Sequence, residues 1–205
     1  MTDLALGLPP DVSRETIRKL TAYCDLLRAE AAHQNLISIT TLDQVWERHI
    51  LDSAQLAPLE ENAGGSWVDI GSGAGLPGIV IALLVEGPVT LIEPRRLRAQ
   101  FLKRAAGELG LANRVDVLCD RAERVTGRFD MITARAVAPL PKLLEMSTHL
   151  STRKTRWLLP KGRHAESELA EVRRNWHCEA QVVASRTNPQ SGILVLSGVR
   201  AKGKR

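Results

Sequence analysis

Trp67-Val68-Asp69-Ile70-Gly71-Ser72-Gly73-Ala74-Gly75-Leu76-Pro77-Gly78 is an apolar run holding one acid. Three glycines at alternate positions follow, and a proline then opens a second apolar run, Ile79 to Val85. The pattern predicts a strand, a tight turn and a helix start. Glycine lets the backbone take positive φ and leaves room for a ligand against the main chain, and Pro77 falls where a first-turn amide has no helical partner anyway. The unpaired amides of the helix start would face that ligand. The spacing Gly73-x-Gly75-x-x-Gly78 also satisfies the dinucleotide fingerprint, which alone is a weak signal. Two acids point elsewhere. Asp69 ends the strand, where a carboxylate can accept from a ligand ammonium, and Glu93 closes the next apolar run, Val89-Thr90-Leu91-Ile92, where it can take both hydroxyls of a ribose. An acid, a glycine turn and a second acid one βαβ unit later suit S-adenosylmethionine, which has an adenosine and an amino-acid tail but no pyrophosphate.

Outward from this turn, strands and helices alternate. Strands are expected near 66–70, 89–93, 114–118, 129–134, 155–160, 178–185 and 192–199, and helices near 77–86, 95–110, 139–150 and 165–175. This alternation predicts an α/β fold, a mostly parallel seven-stranded sheet with helices on both faces. Only the loop Arg186 to Ser191 separates the last two strands, so they are expected to form a C-terminal antiparallel hairpin. A doubly wound sheet closing in this way is the class I methyltransferase version of the Rossmann-like architecture, whereas a dinucleotide half-fold continues with another helix.

A helical extension, residues 1–62, precedes the cofactor-binding core, residues 63–205, and the two are expected to make one methyltransferase domain. Ser13, with Glu15 and Thr16 behind it, opens a helical pattern to about Ala32, its apolar positions Ile17, Leu20, Leu27 and Ala31 joined by Tyr23 and Cys24. Thr40 or Thr41 is expected to cap a second helix, Leu42 to about Leu56, with Val45, Trp46, His49, Ile50 and Ser53 along one face. The basic tail Arg200 to Arg205 is expected to be mobile.

At 205 residues the chain can bury a full core. Residues 2–10 carry an acid and no base, unlike the start of a signal peptide, and no apolar run approaches the length of a membrane span. Cys24, Cys119 and Cys178 are odd in number and lack metal or redox spacing, so they read as reduced, partly buried residues of a cytoplasmic protein with no metal. The charge is uneven: residues 1–62 hold 5 Lys+Arg against 10 Asp+Glu, and residues 63–205 hold 23 against 13. A basic body of that kind suits a polyanionic partner, beside the plainer alternative of a solvated charged face.

Ligands of open α/β sheets bind beyond the carboxyl ends of the strands. Those tips supply Asp69 and the glycine turn, Glu93, Asp120-Arg121-Ala122-Glu123, Thr133-Ala134-Arg135-Ala136 and Pro160-Lys161-Gly162. The third group is placed to meet an adenine ring, or Asp120 merely caps a turn. The fourth tip lacks the Asn/Asp-Pro-Pro-aromatic turn to which methyltransferases of exocyclic amines resemble one another, and reads Arg135-Ala136-Val137-Ala138-Pro139. A cation there suits an acceptor that is already a bare lone pair, such as guanine N7, because arginine pairs with guanine O6 and N7 or holds a phosphate. Lys161 can do either job.

Asn35-Leu36, Ile39-Thr40, Arg48-His49-Ile50-Leu51-Asp52-Ser53, the run Asp69 to Gly78, Phe101-Leu102, Arg135-Ala136 and Lys161-Gly162 together resemble the RsmG family, also called GidB, over about residues 20–200. The resemblance implies a bacterial methyltransferase that modifies N7 of a guanine in 16S ribosomal RNA of the small subunit; a monomer is expected. It implies that Gly71 and Leu76 line the methionine side of S-adenosylmethionine, beside Asp69, Gly73 and Gly75, which the turn itself makes candidates for cofactor binding. Glu93 takes the ribose and Ala122 and Glu123 the adenine, while Arg135 stands on the methyl-transfer side, the candidate catalytic residue. Arg48 and His49 fall on a substrate-side helix, and Arg95, Arg96, Arg98, Lys161 and Arg163 are the candidate RNA contacts. Many relatives carry a Lys-Arg pair after the second acid; here Leu97 stands where the lysine would be. A nucleotide-linked oxidoreductase, from the glycine spacing alone, and a non-catalytic ribosome-binding protein are the alternatives.

Overall fold

The computed structural model of the chain describes residues 7–60, 64–163 and 165–203. The strands are β1 Trp67–Ile70, β2 Val89–Ile92, β3 Val115–Leu118, β4 Met131–Thr133, β5 Arg156–Lys161, β6 Trp176–Ala184 and β7 Gly192–Ala201. They form one sheet in the order β3-β2-β1-β4-β5-β7-β6. The first five run parallel, and β7 is antiparallel to both β5 and β6. The expected hairpin is present, with β7 inserted between β5 and β6. That insertion removes the dinucleotide alternative, whose sixth strand extends the parallel order. Chain order reverses between β1 and β4, so a crevice opens at their carboxyl ends.

The helices are α1 Arg14–Ala31, α2 Asp52–Ala54, α3 Gly78–Leu84, α4 Arg96–Glu108, α5 Leu140–Ser147 and α6 Ala165–Asn175. Side chains of a strand alternate between faces, and each face has its own core. Trp67, Leu91 and Met131 pack with α1, α3 and α4, whereas Val68, Ile70, Ile132 and Trp157 pack with α5 and α6. Burial of both faces is why the strands read as almost continuous apolar runs.

Ser13 caps α1 as expected, its Oγ accepting from Thr16 N at 3.0 Å. The buried stripe Leu20, Tyr23, Cys24 and Leu27 faces the core, and Arg104 of α4 pairs with Glu30 of α1. The single helix expected over Leu42 to Leu56 is instead a chain of short turns: a 3-10 turn Ile39–Gln44, a π-helical turn Trp46–Leu51, α2, and a 3-10 turn Ala57–Leu59. Val45, Trp46, Ile50 and Ser53 are buried as the periodicity implied, but neither threonine caps a helix. Thr41 donates its hydroxyl hydrogen to Ser38 O at 2.8 Å.

The tail also differs from expectation. Arg200 and Ala201 belong to β7, opposite His177 and Trp176, and Lys202 Nζ donates to Arg173 O at 2.6 Å. Lys204 and Arg205 lie outside the described residues. Of the cysteines, Cys24 is buried and Cys178 partly so, while Cys119 is exposed; burial pushes the Cys24 thiol up to about 11.

Candidate active site

The glycine turn takes the shape its sequence predicts. Gly71, Gly73 and Gly75 have φ of +65°, +56° and +84°. Two of them also meet close neighbours. A Cβ on Gly71 would stand 2.8 Å from Val137 Cγ2, and one on Gly75 would stand 2.6 Å from Tyr23 Oη. Tyr23 reaches in from α1 and donates to Ala74 O, so the extension closes the turn from below. Burial holds the Tyr23 hydroxyl well above its usual pKa, which keeps it a donor. Gly75 and Leu76 are buried, and a Cβ on Gly75 would meet Tyr23, Ile79 and Leu102.

Strand alternation also decides where Asp69 goes. It shares a face with Trp67, which sends its side chain under α3 and not out of the tip. Asp69 is 1% exposed; its Oδ2 accepts from Gly78 N at 3.2 Å, and its Oδ1 has no hydrogen-bond partner. Burial pushes its carboxyl up to about 7, against the opposing pull of Ser72, Gly78 and Arg135. Glu93, equally buried, accepts from Gly73 N at 2.8 Å and from Arg95 N at 2.9 Å. Those amides lock the second acid to the turn.

Two cavities meet over this frame. A cleft of about 290 Å³ lies among Ile70, Gly71, Ile92, Ala122, Glu123 and Met146. A larger cavity of about 710 Å³ lies among Asp52, Arg135, Lys161, Glu168 and residues 191–193. Val137 and Ala138 belong to the walls of both. Asp120 does not cap the turn that follows it; its Oδ1 accepts from the next amide, Arg121 N, at 2.7 Å and lies 3.7 Å from Arg124 Nη1.

Cations and acids pair around the larger cavity. Arg135 Nη1 lies 3.3 Å from Asp52 Oδ2, and Lys161 Nζ lies 2.8 Å from Glu168 Oε2, which also accepts from Leu140 N at 2.8 Å. Ala136 has φ of +56°, a strained conformation for a residue with a Cβ, and such strain gathers at functional sites. His49 is half-buried. Since the Thr41 hydroxyl already donates to Ser38, at 3.0 Å it accepts from His49 Nε2, and Nδ1 is left a buried lone pair without a partner. Burial, then the Arg135 charge, lowers the His49 pKa to about 4, so the ring is neutral at pH 7.

The other candidate cations spread over the surface. Arg48, Arg95, Arg96 and Arg163 are exposed, and Leu97, 66% exposed, sits among the arginines. Arg98 is half-buried, its Nη2 donating to Asn35 O at 3.0 Å. Sequence reasoning missed Tyr23, Gln55, Glu168 and Thr187. Tyr23 alone left a signal, a polar tip on the apolar face of α1. Among the described residues no three His, Cys, Asp or Glu side chains gather to hold a metal ion, and no helix is long and apolar enough to cross a membrane.

Comparison with known proteins gives the family. The family model for rRNA small subunit methyltransferase G, GidB, matches residues 16–192. A ribosomal RNA small subunit methyltransferase G from Zymomonas mobilis is 46% identical over 200 residues, spanning 93% of this chain and 90% of the relative. One from Sphingopyxis alaskensis is 47% identical over 195 residues, spanning 94% and 83%. Among solved structures, mitomycin 7-O-methyltransferase superposes with a TM-score of 0.63 at 15% identity, over 97% of this chain and 76% of that one. Magnesium protoporphyrin IX methyltransferase from Synechocystis gives 0.60 at 15% identity, over 92% and 99%. Those two show the fold alone. With the family model covering most of the residues and relatives this similar along nearly their whole length, the chain belongs to the rRNA small subunit methyltransferase G family.

Proposed function

We propose that this methyltransferase moves a methyl group from S-adenosylmethionine to N7 of a guanine in 16S ribosomal RNA. The observation that carries the proposal is the shared wall of Val137 and Ala138. One side is a largely apolar cleft, with Gly71, Ala122 and Glu123; the other is a cavity with Arg135 and Lys161.

The residues fit S-adenosylmethionine. Asp69 has a buried oxygen in want of a donor, Glu93 is an acid fixed at the tip of β2, and the cleft between Ile92 and Met146 is apolar enough for a purine ring. Gly71 and Gly73 would give the amino-acid end its backbone approach, Glu93 would hold the ribose, and Ala122 and Glu123 the adenine, with Asp69 bracing the turn from under α3. Gly75 and Leu76 serve by shaping the turn. When bound, the cofactor supplies a methyl carbon on a sulfonium, already a strong electrophile.

Guanine N7 has a free lone pair and no proton to lose, so the protein's task is alignment, which can contribute up to ~7–11 kcal/mol. Arg135 and Lys161 are the cations for guanine O6 or an adjoining phosphate, which leaves the N7 lone pair free to take the methyl group. No general base is needed. Arg48, Arg95, Arg96, Arg98 and Arg163 would meet the RNA backbone, with neutral His49 behind them. We place the enzyme in the cytoplasm as a monomer of one domain.

The test is incubation with labelled S-adenosylmethionine and small-subunit RNA, then primer extension after cleavage selective for N7-methylguanine. Label mapping to one guanine is expected. Label on an exocyclic amine or a ribose oxygen would refute the lone-pair argument, and cofactor binding without transfer would favour a non-catalytic ribosome-binding protein.

A further inference from the structure

We infer that Asp52 is a positioning residue for methyl transfer: it fixes Arg135 over the substrate cavity and ties it to the β6–β7 loop. Two segments distant in sequence, and one near neighbour, converge on this carboxylate. Oδ2 faces Arg135 Nη1 at 3.3 Å, from the loop after β4. Oδ1 accepts from Thr187 Oγ1 at 2.9 Å, in the β6–β7 loop, and from Gln55 Nε2 at 3.0 Å. Gln55 reinforces the same tie, its Oε1 accepting from Arg186 N at 2.9 Å.

The need for such a tie follows from what Arg135 is. Its side chain is long and rotamer-rich, and the following residue holds a left-handed φ of +56°, so the local backbone gives it little support. Side chains of both Arg135 and Asp52 are 21% exposed, which leaves the guanidinium open to the cavity on one side while Asp52 fixes the other. A guanidinium has five N–H donors in a rigid fork; with one directed at Asp52, the rest have a set direction toward a base edge or phosphate. Asp52 itself touches no reacting atom. It acts through Arg135, and Thr187 extends that control to a loop whose neighbours Ser191 and Gly192 line the same cavity.

The inference rests on the proposal that Arg135 works at the transfer site, and the experiment separates the two. Steady-state rates, cofactor affinity and thermal midpoints would be measured with small-subunit RNA for Asp52→Asn, Thr187→Val, Arg135→Ala and the Asp52→Asn/Arg135→Ala double variant. Asparagine keeps an acceptor for Thr187 and Gln55 but removes the charge that orients Arg135. Asp52→Asn is expected to lower kcat about tenfold, with the KM for RNA and the cofactor Kd within about twofold, and Arg135→Ala to lower it about a hundredfold. In the Arg135→Ala background Asp52→Asn should change kcat by less than about twofold, because the residue it acts through is gone. Thr187→Val, on the exposed rim, should lower kcat about threefold. Multiplicative losses in the double variant, or a wild-type rate for Asp52→Asn beside a crippled Arg135→Ala, would overturn the inference. A wild-type rate for Arg135→Ala would overturn the proposal beneath it. If Asp52→Asn does not fold, Thr187→Val decides: a wild-type rate there overturns the tie.

Discussion

Asp69→Asn should be more stable than the wild type at pH 8 and nearly equal to it at pH 4. The carboxyl lies under α3 with one oxygen on Gly78 N and the other without a partner, and burial raises its pKa from the ordinary 3.8 to about 7. The native state therefore binds this proton more tightly than the unfolded chain does. The benefit is fully present below about pH 4, where both states are protonated, and is lost as pH rises to about 7, the folded pKa. At about 1.4 kcal/mol for each tenfold in proton affinity, the penalty at neutral pH reaches ~4 kcal/mol, an upper value because water entry and relaxation reduce it. Asparagine has the shape of the protonated acid and carries no such penalty. Urea unfolding of both proteins from about pH 4.5 to about pH 8.5 would show the gap widening with pH and then levelling off. A gap of constant size would mean that Asp69 does not titrate in this range. If Asp69 also meets the ammonium of the cofactor, wild-type affinity should rise with pH through the same window, while Asp69→Asn binds more weakly and without that dependence.

Gly78→Ala should destabilise the fold by about 1–3 kcal/mol by thermal unfolding, because its Cβ would stand 2.3 Å from Leu91 Cδ2 and 2.7 Å from Asp69 Oδ2. Gly71→Val should cost at least about tenfold in cofactor affinity by calorimetry in a folded protein, since a branched side chain adds to the Val137 contact and opposes the positive φ; undiminished affinity would move the cofactor away from this turn. Glu93→Gln should weaken cofactor binding by about 1–3 kcal/mol through loss of charge-assisted bonds, and equal affinity would mean that the ribose lies elsewhere. RNA affinity should fall with salt at about −0.7 in log K per log[salt] for each phosphate neutralised, and Arg95→Ala/Arg96→Ala should flatten the slope; an unchanged slope removes that pair from the interface.

The centre of the fold was legible because its signals are local. An apolar run, glycines two apart and a proline specify strand, turn and helix within a dozen residues, and the six-residue loop before Gly192 forces a hairpin. The single helix expected over Leu42 to Leu56 is not formed, because apolar spacing is much the same in one long helix and in a series of 3-10, π and α turns, and a π turn has no compositional mark. The face taken by Asp69 was readable from its alternation with Trp67, yet the attraction of a free acid at a strand tip concealed it. What joins the site together was not readable. Tyr23 and Ala74 are 51 positions apart, Asp52 and Arg135 83, and Asp52 and Thr187 135, so only the folded topology brings them within hydrogen-bond reach.

The insertion of β7 between β5 and β6 also sets an order of assembly. During synthesis residues 192–201 leave the ribosome after every other strand, yet their place is inside the sheet. Until they arrive, β5 ends in an open edge and β6 has no neighbour to pair with. None of these residues lines the smaller cleft beside Gly71 and Ala122, whereas Gly192 and Ile193 line the same cavity as Arg135. On the proposed assignment of the two cavities, a nascent chain would acquire the means to hold its methyl donor before the wall of the base cavity was complete.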